Sequence, residues 1–194
     1  QSIICYSKQP GDCNDNDPNV SPGVLELCNG IDDNCNGKID EACSSVNKQD
    51  ALAVLQSLYS ADKKSQEELG KAIKELKESL GNLNPEGDKK IVWIDSVHIA
   101  CRHGYKAFAD EKKAVEHLQK VTDPALSAQV SSAISSIVAA DRLLAQTAIN
   151  GAALTKYRLK ALENFKKGEA ATDAKKKIQY YRKAWKYVNK YCEK

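Results

Sequence analysis

Residues 11–43 read GDCNDNDPNVSPGVLELCNGIDDNCNGKIDEAC, with Asp, Asn or Cys at nearly every second position and almost no core-forming residues. A segment this short cannot bury enough apolar surface to fold unaided, so it needs disulfides or a bound metal. This constraint divides the chain of 194 residues. We expect a small cysteine-rich module over residues 1–46 and a second unit with its own core over residues 47–194.

Cysteine usage indicates an oxidising compartment, because five of the seven cysteines fall within the first 43 residues. If Cys13 pairs with Cys28 and Cys35 with Cys43, the remaining partners for Cys5 are Cys101 and Cys192. Spacing alone does not determine the connectivity. Seven cysteines leave at least one thiol free or bonded to another chain. The disulfide candidates are Cys5, Cys13, Cys28, Cys35, Cys43, Cys101 and Cys192.

Localisation follows from the same features. The sequence has no apolar run of the roughly 20 residues that a transmembrane helix requires, and Gln1 is a plausible first residue after signal cleavage. We therefore expect a secreted protein, extracellular or held at the cell surface.

The run DDNCNGKIDE has the spacing of a calcium loop of the EF-hand type when Asp32 takes position one. Side chains at alternate positions then converge on one cation, and Gly37 at position six permits the sharp turn. The oxygen donors would be Asp32, Asn34, Asn36, the Lys38 carbonyl and Asp40. Position twelve is Cys43 where an EF-hand has a bidentate Glu, so we do not expect a true EF-hand.

The upstream half repeats this spacing, because Asp12, Asn14 and Asn16 stand at positions one, three and five, followed by Asp17. We expect Glu26 to fold back as a further carboxylate ligand. Whether the two halves form one shared site or two sites stays open. The alternative without a metal is a set of Asx-turns held by disulfides.

The same segment resembles a metal-binding motif family of secreted and cell-surface proteins of bacteria and archaea, with the pattern D-C-D-x-x-D-P-x-x-x-P-G-x-x-E-x-C-N-G-x-D-x-[ND]-C-[DN]-G-x-x-D-E. The matching positions are Asp12, Cys13, Asp17, Pro18, Pro22, Gly23, Glu26, Cys28, Asn29, Gly30, Asp32, Cys35, Gly37, Asp40 and Glu41. The resemblance covers about residues 5–43 and implies a small calcium-loop module, with copper in some members. The helical remainder resembles no family.

This chain has asparagine at three positions where the family pattern has or allows aspartate, namely Asn14, Asn34 and Asn36. This exchange keeps the oxygen ligands but lowers the negative charge around the ion. We therefore expect weak calcium affinity, with dissociation constants of about 10⁻⁴ to 10⁻³ M, which suits extracellular calcium.

After residue 46 the apolar residues recur at spacings of three and four, which is typical of amphipathic helices. We expect one helix from Asp50 to about Leu83, a second over residues 89–121, and a third from about Leu126 to Gly168, continuous or bent at Asn150–Gly151. Asp123–Pro124 and Thr172–Asp173 supply start signals for the third and fourth helices. The predicted fold is mainly α, an antiparallel three- or four-helix bundle with the N-terminal module appended.

The net charge and the absence of known catalytic motifs argue against two classes of function, nucleic-acid binding and enzymatic catalysis. A formal charge of +3 from 29 basic and 26 acidic residues does not demand a polyanionic partner, so we expect no nucleic-acid binding, although residues 173–194 are basic and aromatic. No Ser-His-Asp arrangement, phosphate-binding loop or haem motif is evident, so we expect no enzymatic activity and rank a hydrolase last.

These observations predict a secreted calcium-binding structural protein that self-associates at the cell surface or in an extracellular filament. The odd cysteine count, the long third helix and the aromatic C-terminal helix favour self-association, although each also fits a monomer. The alternative is an extracellular protein that captures copper or zinc. In that case His98 and Cys101, one turn apart on a helix, would bind the metal together with His103 or His117.

Overall fold

A computed structural model describes residues 13–14, 20–22, 32, 34–37, 44–81, 93, 98–99 and 103–190. In these ranges the chain is mainly helical, as predicted. The six helices are α1 Ser44–Ser57, α2 Lys63–Ser79, α3 Tyr105–Leu118, α4 Ser127–Asn150, α5 Lys156–Ala170 and α6 Ala174–Val188. No strand occurs within these residues, and Trp93 and Ile99 form an isolated antiparallel bridge. None of the described helices is long and apolar enough to cross a membrane.

The predicted single helix from Asp50 to Leu83 is wrong, because the chain breaks between α1 and α2. The Asp62 carboxylate accepts a hydrogen bond from the Ser65 backbone N–H at 2.8 Å and so caps α2. Capping satisfies a donor that the first helical turn leaves unpaired. Asp62 therefore starts a new helix at the point where it interrupts the apolar stripe.

The predicted helix over residues 89–121 is also wrong, because α3 begins only at Tyr105. Trp93 and Ile99 pair in an extended arrangement, which is incompatible with helix at these positions. His103, two residues before α3, has a φ of 68°, a left-handed conformation that a right-handed helix cannot include.

The later helices agree better with the sequence. The third predicted helix is interrupted at Asn150–Gly151, where α4 ends and α5 follows from Lys156. Asp123 caps a short 3₁₀ helix, Pro124–Leu126, by accepting a hydrogen bond from the Ala125 N–H at 2.9 Å. Asp173 caps α6 by accepting one from the Lys176 N–H at 2.9 Å, which confirms the predicted start of the last helix.

The apolar faces of all six helices form one core, in which α4 packs against both α1 and α6. The ring centroids of Phe108 and Trp185 lie 6.0 Å apart, and those of Phe165 and Tyr181 lie 5.4 Å apart. Gly168 lets α5 approach α6 closely, because a Cβ there would lie 2.5 Å from Cε1 of Tyr181. The predicted domain boundary at residues 46–47 falls within the first turn of α1.

Candidate metal centre

The loop from Asp32 to Gly37 is folded around the Asp32 carboxylate. Its Oδ1 accepts a hydrogen bond from the Asn36 N–H at 3.1 Å, and its Oδ2 accepts one from the Gly37 N–H at 2.7 Å. The side-chain oxygen of Asn34 accepts from the same Asn36 N–H at 3.1 Å. Side-chain oxygens from positions one and three of the predicted loop are therefore brought to one side of the turn.

Backbone conformation explains the glycine at position six. Gly37 has a φ of +85°, while the space around its Cα is open, since a Cβ placed there would have no neighbouring atom within 4 Å. The requirement for glycine is thus conformational, because residues other than glycine rarely adopt this region. Cys35 also has a positive φ, of 58°, so Cys35 and Gly37 are both left-handed.

A disulfide closes this turn, because Cys13 and Cys35 are bonded to each other. The backbone N–H of Cys13 also lies 3.0 Å from Sγ of Cys35. The pairing considered from the sequence, Cys13 with Cys28 and Cys35 with Cys43, does not form, since both partners are used in this one bond. The cross-link joins the upstream half of the module, at Cys13, to the predicted metal-binding loop, at Cys35.

The described residues include four of the predicted ligands. Asp32, Asn34 and Asn36 share the turn around Gly37, while Asn14 is half-buried next to Cys13. Val20, in the same module, is fully buried. The other predicted ligands and cysteines lie outside the described residues: Asp12, Asn16, Asp17, Glu26, Lys38, Asp40, Glu41, Cys5, Cys28, Cys43, Cys101 and Cys192.

Comparison with protein families bears on this segment. Residues 12–41 match the family model described as "Putative metal-binding motif". The name of that model refers to copper binding. The match confirms the resemblance read from the sequence and supports metal binding in general, without choosing between calcium and copper. Comparisons with curated proteins and with solved structures found no significant match.

The histidine arrangement expected for a transition metal was placed on a helix, and His98 does not lie in one. His98 is exposed and directly precedes Ile99, which forms the bridge with Trp93, while Cys101 lies outside the described residues. His117 lies on α3, and its Nδ1 is 2.7 Å from Oε2 of Glu68. A hydrogen bond from Lys71, followed by the contact with His117, lowers the pKa of Glu68 to about 2.

One carboxylate cluster is present among the described His, Cys, Asp and Glu side chains, formed by Glu75, Glu78 and Asp110. Lys113 lies within it, with its Nζ at 3.0 Å from Glu75 and 3.1 Å from Asp110. Partial burial raises the pKa of Asp110, with smaller contributions from the charges of Glu75 and Glu78. Lys113 already occupies this cluster and offsets part of its negative charge, so we assign no metal to it.

A buried ionic cluster at the centre of the helices was not predicted. Lys48 on α1, Glu111 on α3 and Asp141 on α4 are all fully buried. Nζ of Lys48 lies 2.7 Å from Oε1 of Glu111 and 3.1 Å from Oδ1 of Asp141. The ammonium also lies 4.9 Å from the centroid of the Trp93 ring and 5.8 Å from that of Phe108. The Lys48 ammonium therefore links α1 to α3 and α4 and also lies close to two aromatic rings.

Two carboxylates around one buried cation leave an excess negative charge unless a proton is also bound. Burial, followed by the charge of Glu111, raises the pKa of Asp141 well above its usual value. Burial alone would lower the pKa of Lys48, but the two carboxylates outweigh it and raise that pKa. Oε2 of Glu111 and Oδ2 of Asp141 have no hydrogen bond among the described residues. A proton on Asp141 makes the cluster neutral and supplies a donor.

The sequence does contain a signal for this cluster. Each of its three members stands within an apolar stripe, at a position where a core residue is expected. Lys48 precedes Leu52 and Leu55 at helical spacing, Glu111 lies between Phe108 and Val115, and Asp141 lies between Ile137 and Leu144. A charged residue at a core position of a helix needs a charged partner.

Proposed function

We propose that the protein is a secreted, non-enzymatic, calcium-binding structural protein. In this proposal calcium orders the N-terminal module, and the ordered module supports self-association at the cell surface or in an extracellular filament. The observation that carries the proposal is the turn of Asp32–Gly37. Backbone hydrogen bonds hold the Asp32 carboxylate in this turn, and the Cys13–Cys35 disulfide closes it.

The chemistry of the available donors favours calcium. The side chains assembled around the turn, Asp32 and Asn34, offer carboxylate and amide oxygens, which suit hard cations such as calcium. Copper(I) and zinc prefer thiolates, but the two cysteines next to these oxygens are joined to each other and have no thiol. Cys13 and Cys35 therefore offer no thiolate to a soft metal in the oxidised protein.

Ion binding would act on the module as a folding ligand. A segment with few core residues gains its order from cross-links and from the ion, so the binding free energy becomes free energy of folding. With several asparagines among the proposed ligands, we expect weak binding that is saturated only at about millimolar calcium.

A second candidate function is copper binding, which the name of the matching family model favours. Copper(II) would use nitrogen and oxygen donors. The exposed His98 provides one such nitrogen. The two candidates differ in their ligands, because calcium requires Asp32 whereas copper at the histidines does not.

Metal analysis of the purified, oxidised protein tests the proposal, followed by calcium titration of the wild type and of Asp32→Asn. We expect about one or two calcium ions per chain and an affinity at least about tenfold weaker in the variant, because it removes a carboxylate charge from the site. Asp50→Asn, at an exposed position of α1, is the matched control and should bind calcium like the wild type. Bound copper or zinc without calcium, unaffected by Asp32→Asn, would contradict the calcium assignment.

A further inference from the structure

The helices α5 and α6 form the most basic part of the chain. Residues 156–190 contain twelve Lys or Arg and three Asp or Glu, a formal charge of +9, although the whole chain carries only +3. Residues 1–46 contain two Lys and eight Asp or Glu, a formal charge of −6. The chain therefore carries two regions of strong and opposite charge at its two ends.

A surface groove runs along the contact between α5 and α6. One cavity of about 410 Å³ is lined by Asn164, Lys183, Lys186, Tyr187 and Lys190. A second cavity of about 360 Å³ is lined in part by Lys156, Tyr157 and Tyr187. Tyr187 lines both cavities, so they are neighbours along the contact of the two helices, and we call them together the α5–α6 groove.

Lysines in and beside this groove lie against aromatic rings. Nζ of Lys190 lies 4.7 Å from the centroid of the Tyr157 ring, and Nζ of Lys160 lies 5.9 Å from that of Tyr187. Such contacts hold an ammonium group in position without neutralising its charge. Lys156, Lys160, Lys183 and Lys190 make no ion pair within the part of the chain that the structure describes.

Residues 156–190 contain three acidic side chains, and each already has a partner within the chain. Glu163 forms an ion pair with Lys167 at 2.6 Å, and Glu169 binds Arg142 of α4 and accepts a hydrogen bond from Tyr181. Asp173 caps α6. The positive charge of the groove is therefore left for a partner with several carboxylates.

We propose that the α5–α6 groove binds the acidic N-terminal module, residues 1–46, of a second copy of this chain. This inference rests on the proposed function and names the surface through which self-association would occur. Charge complementarity supports the choice of occupant, since the −6 segment and the +9 helix pair belong to the same polypeptide.

The position of the module favours a second copy over the same molecule. The module is joined to the bundle at Ser44, the first residue of α1, and α1 packs against α4 and α2. Among the described residues α1 does not contact α5 or α6. Instead α4 lies between them, since it contacts α1 as well as α5 and α6. The module therefore starts on one side of α4 and the groove lies on the other. Contact between two different surfaces is heterologous, which yields an open chain of subunits unless a ring closes.

Charge reversal in the full-length protein tests the proposal. Lys183→Glu/Lys190→Glu reverses two groove lysines, and Lys63→Glu/Lys64→Glu is the matched control at the exposed start of α2, where added negative charge suits a helix N-terminus. Assembly is measured by sedimentation velocity with calcium, at about 0.05 M and about 0.5 M salt, and calcium binding is measured separately by titration. Thermal unfolding confirms that each variant is folded.

We expect the wild type to assemble at low salt, the groove variant to assemble at least about tenfold more weakly, and the control to match the wild type. Adding Asp15→Lys/Asp33→Lys, two module acids outside the proposed ligand set, should restore assembly to the groove variant. If the groove variant assembles as strongly as the wild type, the proposal is wrong.

The same experiment separates this inference from the calcium assignment. A wild type that binds calcium and stays monomeric overturns the docking proposal alone. Assembly through the groove without calcium binding overturns the calcium assignment alone. If the wild type stays monomeric and its groove lysines instead retain heparin or DNA, the occupant is a separate polyanion and the proposal is wrong.

Discussion

The buried cluster of Lys48, Glu111 and Asp141 makes a quantitative prediction about pH, tested by the substitution Asp141→Asn. An amide has nearly the shape of the protonated carboxyl group and is neutral at every pH. Its N–H can donate to Glu111 as the proton on Asp141 would. The variant therefore preserves the neutral form of the cluster and removes its titration.

The sign follows from proton binding. The pKa of Asp141 is raised in the folded protein above the value of 3.8 for an unperturbed group. The folded state thus keeps a proton that the unfolded chain releases, and this contribution to stability is fully present only below pH 3.8. As pH rises through the window between the two pKa values, the free energy of unfolding falls by about 1.4 kcal/mol per pH unit.

Urea unfolding followed by circular dichroism at about pH 5, 6 and 7 measures this slope. The stability of Asp141→Asn relative to the wild type should increase steadily from pH 5 toward pH 7, for as long as Asp141 keeps its proton in the folded protein. A constant cost of the amide shifts all points equally and leaves the slope unchanged. Asp50→Asn, an exposed control on α1, should run parallel to the wild type.

A constant difference between Asp141→Asn and the wild type across this range would refute the reasoning. It would mean that Asp141 is ionised in the folded protein, and that the excess negative charge of the cluster is tolerated. A variant that becomes relatively less stable as pH rises would also contradict a bound proton.

Three further predictions concern the helices. Gly168→Ala places a Cβ 2.5 Å from the Tyr181 ring and should lower the free energy of unfolding by about 1–3 kcal/mol in urea titrations, whereas Gly70→Ala, in open space on α2, should not. Asp173→Ala removes the cap of α6 and should cost about 1 kcal/mol by the same measurement. Glu68, whose pKa is lowered to about 2, stabilises the fold above pH 4.5, and this contribution is lost as pH falls toward 2. Glu68→Gln should accordingly weaken the acid dependence of the melting temperature in that window.

Local signals in the sequence account for the features that were predicted correctly. Asp173 caps its own helix within three residues, and Gly37 adopts the conformation that its position in the loop requires. Both depend on neighbours close in the chain. The interruption after Asn150 has a local signal of the same kind, because Gly151, with low helix propensity, marks where α4 ends. The sequence leaves open whether the helix continues or bends there.

Features that depend on distant residues were missed or predicted wrongly. An apolar stripe has the same spacing whether the helix is continuous or interrupted, so periodicity alone did not reveal that α1 and α2 are separate. The bridge between Trp93 and Ile99 replaces a helix that the local pattern favours, because tertiary context overrides propensity. The contact of Lys48 with Asp141 spans 93 positions and has no local signature beyond a charge in an apolar stripe.

The burial of Lys48 has a consequence for chemical labelling. Lysines at the surface react with acylating reagents whenever they are unprotonated, whereas an ammonium enclosed by Glu111, Asp141 and two aromatic rings cannot meet the reagent. Among the lysines that the structure describes, Lys48 alone is buried. Acylation at this position, quantified by mass spectrometry, would therefore count the molecules in which α1 has separated from α3 and α4, with the exposed lysines of the same chain as an internal standard.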